Sequence, residues 1–315
     1  MVDDDPLESM LFADSMPGMR KIDTKVAAEG RRCLNRLESL LAQPASKVEL
    51  WKSGINRFGL RRIPPTEVSR AQELYLQVVA RGGSGSSFVQ EGLLQMIAGA
   101  KSTDSIPFWL EILDLARPRD SLAVKRRSLA VAAIALIAVR RNERVAFEAL
   151  LKAARHFNPD VRAMAALYLG RVCPGCDDKL LGEVEACLME MGTGDAVFGP
   201  RFQARFALRS IGKQVRLDCP GGLFLFKTVL EGEPDCYRTI ALQSEQTLED
   251  LHFAIQEAFE WDADHLYSFF MNNKPYDWRY TFVCPYEEDN PPFSDEAVIG
   301  ELGLTKKHKF FYLFD

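Results

Sequence analysis

The chain has 315 residues, of which 47% are hydrophobic and 26% charged, and carries 39 Lys and Arg against 44 Asp and Glu for a formal net charge of -5. That length exceeds what a single core usually serves, so more than one domain is expected, and the acidic balance disfavours broad, sequence-independent attraction to phosphate backbones while leaving room for a local basic face. No stretch approaches the about 18 to 20 apolar residues of a membrane helix, the start MVDDDPLESM is acidic where a signal peptide is basic, and seven cysteines suit free thiols better than a disulfide framework. A cytoplasmic protein without a membrane partner is therefore expected.

Residues 1–20 hold Asp3, Asp4, Asp5, Pro6, Pro17 and Gly18 without periodicity and read as a disordered lead. A helical N-terminal segment follows over 21–87. Arg32 to Leu41 and Val68 to Val79 have amphipathic helical spacing, separated by Ile63-Pro64-Pro65, where proline forbids continuation of a helix. The stretch Arg81-Gly-Gly-Ser-Gly-Ser-Ser87 is a flexible connector by composition.

Residues 88–213 look repetitive. Helical patterns that start at Val89, Val124, Val161 and Gln203 stand 35, 37 and 42 residues apart, a period that suits helical pairs rather than propeller blades. Partner helices are expected at Ile106 to Ala116, Arg144 to His156 and Leu180 to Met191. The segment from Asn158 to Gly170 resembles the second helix of a HEAT repeat, with Asn158 or Asp160 as its cap and small residues that let a neighbouring helix approach.

Near Gln214 the period changes. Leu223 to Leu230 and Tyr237 to Leu242 read as strands joined by the turn-rich link Glu231-Gly-Glu-Pro-Asp235. Thr247 is a natural N-cap with Asp250 three residues on, and Leu248, Leu251, Ile255 and Phe259 form one apolar stripe, so a helix is predicted from about Leu248 to Glu260. His265 to Met271, Tyr280 to Val283 and Phe310 to Phe314 read as further strands, with a short helical turn near Ala297 to Leu302. The chain as a whole reads as α+β and multidomain: an all-α HEAT-like solenoid, then a small α+β domain over 217–315 that resembles a β-grasp, in which the last strand lies in the middle of the sheet.

The residues Leu251-His252, Ile255-Gln256, Ala258-Phe259, Trp261, Asp264-His265-Leu266-Tyr267 and Phe269 together resemble the core motif of the plasmid pRiA4b ORF-3-like family, also labelled as transposon passenger proteins. Tyr237-Arg238 stands where that family has Trp-Arg. The resemblance covers about residues 220–315 and implies an accessory role in plasmid or mobile-element biology, with no reaction to carry over. It also implies a continuation beyond the last strand, so the domain is expected to be truncated at its C-terminal end, leaving an edge through which the chain would self-associate.

His252, Trp261, Asp262, Asp264 and His265 form the candidate functional constellation, because two imidazoles beside carboxylates could carry acid–base chemistry or a metal. Against this, His252 borders the apolar stripe, where a histidine usually packs and makes one hydrogen bond, and Trp261 suits a plug at the helix end. Lys125, Arg126, Arg127, Arg140, Arg141 and Arg144 form the candidate basic interaction surface, in competition with solvated helix ends. Cys173-Pro-Gly-Cys176 lacks a second ligand pair for zinc and follows a helix where a redox motif would follow a strand; its Pro-Gly reads simply as a helix stop. No cofactor and no catalytic residue is expected. The leading reading is a non-enzymatic protein-interaction or scaffold protein. Its alternatives are an accessory nucleic-acid-binding protein and, below that, a hydrolase-like enzyme centred on His252 and His265.

Overall fold

A computed structural model describes residues 24–44, 49–55, 63–83, 85–114, 121–141, 143–262, 265–286 and 292–314. The expected disordered lead and Asp264 lie outside these. The chain divides into two compact units, residues 3–184 and 185–315.

The first unit is helical throughout its described residues: α1 (Thr24–Leu41), α2 (Val68–Arg81), α3 (Ser86–Ala100), α4 (Ile106–Asp114), α5 (Ser121–Arg141), α6 (Arg144–Ala153), α7 (Pro159–Val172) and the start of α8 (Asp178–Gly194). Helix α5 is its centre. Every residue from Leu129 to Ala138 is buried, and α3, α4, α6 and α7 pack around it. A helix that is apolar all round must be enclosed, and its many alanines let the neighbours come close. Helix α7 starts as its sequence dictates: the Asn158 side chain accepts from the backbone N–H groups of Asp160 and Val161, with Pro159 in the first turn. Across the glycine-rich connector, α2 and α3 pack directly on one another.

The second unit begins at Glu185 and takes in α9 (Phe198–Ser210), the helix whose spacing suggested a last repeat. Strands β1 (Leu223–Leu230) and β2 (Glu233–Gln243) form an antiparallel hairpin that pairs Leu223 with Gln243 and Val229 with Tyr237, turning at Gly232 with φ +82°. Helix α10 (Leu248–Phe259) follows, and then a three-stranded antiparallel sheet of β3 (Tyr267–Phe270), β4 (Thr281–Val283) and β5 (Phe311–Phe314) in the order β4-β3-β5. The last strand, expected in mid-sheet, pairs among the described residues with β3 alone and is only half-buried. Among the described residues no ladder joins β1 to β5; the two sheets meet through side chains, with Phe226 edge-on to Phe310 at 6.0 Å.

Helix α10 shows how the local sequence sets the site. Thr247 and Asp250 close a reciprocal capping box, and Leu248, Leu251 and Ile255 are fully buried while Phe259 is half-buried. The helix stops at Glu260, which adopts φ +58°; Trp261 N–H then reaches back to the Gln256 carbonyl at 3.0 Å and Glu260 N–H to that of Glu257 at 3.2 Å. This left-handed stop aims the chain towards β3 and carries Trp261 to the helix end.

Helix α9 supplies a second organising device. Arg201, Arg205 and Arg209 fall one turn apart on one face. Arg201 donates to the carbonyls of Asp195 (2.7 Å) and Gly303 (3.0 Å). Arg205 donates to those of Gly192 (2.6 Å) and Glu301 (2.8 Å) and to the Asp218 carboxylate (2.6 Å), and Arg209 reaches the Glu296 carbonyl. The first two are buried. Their guanidinium forks satisfy carbonyls of the 296–303 segment, which among the described residues joins a sheet only through the isolated Thr247–Val298 bridge and otherwise makes backbone bonds to Ser244, Gln246 and Leu248.

Candidate functional site

The polar centre of the second unit lies where α10 meets β3 and β5. His252 is 2% exposed and lies flat on Tyr267, with ring centroids 3.7 Å apart and planes at 7°. Its Nδ1 faces the Tyr312 hydroxyl at 2.8 Å, and Gln256 Nε2, one helical turn along, donates to the same hydroxyl at 2.6 Å. Because Gln256 occupies an acceptor site of the phenol oxygen, the consistent assignment has Tyr312 O–H donating to Nδ1 of a neutral His252. On the other side, the Tyr267 hydroxyl pairs with Ser294 Oγ at 2.8 Å.

Electrostatics agree with that assignment. Burial lowers the His252 pKa to about 4, so the ring is uncharged at neutral pH. Burial likewise pushes the Tyr312 phenol far up, with Gln256 pulling the other way, and pushes up Tyr267. The triad thus joins an uncharged imidazole to two phenols that hold their protons. At neutral pH these groups are poorly matched for proton transfer.

The remaining members of the constellation are placed differently. His265 is exposed, with its ring beside Phe314 at 5.6 Å, and His252 is 6.1 Å from that same ring. Trp261 is 38% exposed rather than a core plug. It stacks on Phe259 at 4.9 Å and parallel to Phe314 at 6.1 Å. Asp262 is exposed, and Asp264 lies outside the described residues. Phe314 is therefore the common neighbour of both histidines and Trp261. Tyr312, Gln256, Tyr267 and Ser294 were missing from the sequence constellation; the signal for Gln256 was its spacing of four from His252 on one helix face.

Among the described side chains, the basic residues do not form one free stripe. Arg127 is buried, Arg126 is bonded to Gln90, and Arg144 is held by Glu148 at 2.9 Å and Glu183 at 2.8 Å. Lys125 is exposed, and the side chains of Arg140 and Arg141 lie outside the described ones. Among the described residues, no group of three His, Cys, Asp or Glu could hold a metal ion, and no helix is long and apolar enough to cross a membrane.

The outer face of the β1–β2 hairpin is unlike an ordinary solvent face. Leu223, Leu225 and Val229 of β1 point away from the core and are 56%, 68% and 44% exposed; Tyr237, opposite Val229, is 47% exposed, with Lys227 Nζ 4.1 Å from its ring centroid. Apart from Lys227 on the outer side and Thr228 on the inner, the strand is apolar on both sides, since Phe224 and Phe226 pack on the core.

Residues 224–315 match the model of the plasmid pRiA4b ORF-3-like protein family. The match is less than a third of the chain and takes in the hairpin, α10 and the three-stranded sheet, while α9 precedes it. No curated protein and no solved structure matches the chain.

Proposed function

We propose that the protein is a non-enzymatic interaction protein, with a partner protein docking on the outer face of the β1–β2 hairpin. The observation that carries this reading is the set of exposed apolar side chains Leu223, Leu225, Val229 and Tyr237 on one face of the hairpin, interrupted by Lys227. A sheet that buries one face normally presents polar side chains on the other, and clustered apolar exposure marks contact surfaces in soluble proteins. The helical unit then serves as a scaffold of stacked HEAT-like pairs, and the C-terminal unit as a β-grasp-like module. A role beside plasmid or mobile-element machinery is proposed from the family likeness by analogy, and a cytoplasmic place from the acidic start and the lack of a long apolar stretch.

The nucleic-acid reading has less support, because Arg126, Arg127 and Arg144 are already bonded or buried. The enzyme reading has less support because His252 is enclosed and uncharged.

The test is affinity capture with the tagged full chain, with and without nuclease, beside a Leu225→Asp, Tyr237→Asp variant whose changes fall on exposed side chains. A nuclease-resistant partner lost by the variant and rebound by purified wild-type chain supports the reading. Identical captures by both proteins, or captures abolished by nuclease, overturn it. Self-association through the same face would appear in light scattering as a concentration-dependent mass that the variant lacks.

A further inference from the structure

Cys173 follows the last residue of α7, and Cys173–Gly175 form a single 3-10 turn. Pro174 cannot carry α7 onward, and the Cys176 N–H donates to the Cys173 carbonyl at 2.9 Å. That turn brings the two sulfur atoms to 3.0 Å. Asp177 next accepts from Leu180 N–H at 2.9 Å at the start of α8, so the dithiol is held between two helix ends. A hydrogen-bonded turn of this span keeps the first and fourth Cα atoms within the range that a disulfide bridges.

The two thiols differ in access. Cys173 is buried, whereas Cys176 is half-buried and beside exposed Pro174 and Asp177. A metal reading finds no support: His156, the nearest candidate by sequence, faces Asp114 at 3.1 Å and accepts from Asn158 N–H at 3.1 Å, and no three-ligand group exists among the described residues. We infer that Cys173 and Cys176 form a reversible dithiol–disulfide pair, whose oxidising co-substrate is a low-molecular-weight disulfide such as oxidised glutathione.

The step balances as follows. Cys176 gives its proton to solvent and its sulfur attacks one sulfur of the small disulfide, whose S–S bond breaks; one thiolate leaves and takes up a proton. The Cys173 sulfur, losing its own proton, then attacks the Cys176 sulfur of the mixed disulfide and expels the second small thiol. Two protein thiols lose two electrons and one small disulfide becomes two thiols. The order follows from access and from charge. Burial, then the hydrogen bond and proximity of Cys176, raise the Cys173 pKa to about 12, and the part due to Cys176 disappears once that sulfur is capped. Contact geometry then favours closure over a lasting adduct.

The test uses the reduced full chain, exposed to oxidised glutathione, trapped with a maleimide and mapped by peptide mass spectrometry. The expected result is a Cys173–Cys176 disulfide with the other cysteines of the seven alkylated, reversed by dithiothreitol. Cys173→Ser should instead retain glutathione on Cys176, and Cys176→Ser should leave Cys173 without an adduct. The inference is overturned if wild-type chain keeps all thiols free, stops at the glutathione adduct, or pairs other cysteines. It is overturned equally if the bond resists reduction in the folded protein. The wild-type arm decides the matter even if a variant misfolds.

Discussion

His252 and Tyr267 lie ring against ring, 3.7 Å between centroids and 7° between planes, in the interior of the C-terminal unit. An imidazole enclosed in this way stays neutral down to about pH 4, whereas in the unfolded chain it takes up a proton near its ordinary 6.5. Between those values the unfolded state binds the extra proton, so stability falls as the pH drops through that window and the effect is absent above it. The expected loss is about 2–3 kcal/mol by pH 4. Urea titrations from pH 7.5 to 4 should show it, and His252→Gln should flatten the slope while costing about 1–3 kcal/mol at pH 7, because the Tyr312 O–H loses its acceptor while its oxygen keeps only the Gln256 donor. An unchanged slope in the variant would assign the acid sensitivity elsewhere.

Arg205 bonds two carbonyls and the partly exposed Asp218 from a buried position. Arg205→Ala strips all three acceptors and should destabilise the chain by about 2–4 kcal/mol, an estimate that allows for the solvent exposure of Asp218. Lys213→Ala, which removes the surface pair with Glu185, should cost less than about 1 kcal/mol. Equal losses in thermal or denaturant unfolding would contradict the ranking.

Glu260 ends α10 in the left-handed region, a conformation that glycine adopts without a Cβ penalty. Glu260→Gly should therefore stabilise by about 0.5–1 kcal/mol, the relief of the left-handed strain being partly offset by glycine's greater unfolded freedom. Glu260→Val should do the reverse. A melting temperature lowered by the glycine would mean that the Glu260 side chain has a stabilising contact of its own.

Purified protein should carry no stoichiometric zinc, because the Cys173–Cys176 turn has no further ligand set around it among the described residues. Elemental analysis that finds about one zinc per chain, lost in Cys173→Ser, would reverse this.

Periodicity made α10 legible in detail: cap, stripe and stop are local, and Leu248, Leu251 and Ile255 are buried as their spacing predicts. The hairpin was legible for the same reason. What the pattern could not carry were pairings between distant segments. Tyr312 meets His252 across 60 residues, and nothing near either residue announces the other. Helix α9 has the same 3.6-residue rhythm as the helices before it, so its allegiance to the C-terminal unit was hidden in a trait that reads as surface charge, the arginines at every fourth position. Arg127 misled in the opposite way, since one cation in a basic triplet can be buried while its neighbour Lys125 faces solvent.

The arginine contacts of α9 also set a timetable. Arg201 and Gly303 are separated by 102 residues, and Arg205 and Glu301 by 96. At translation rates of about 5–20 residues per second, the helix is synthesised roughly 5–20 s before the Glu301 and Gly303 carbonyls that its arginines bond. During that interval its guanidinium groups can remain hydrated while its apolar side, Phe202 included, lacks the core it will later join. The C-terminal unit therefore completes its fold from both ends at once, and nascent-chain protease protection of α9 should rise late and abruptly, when the segment after Ala297 emerges.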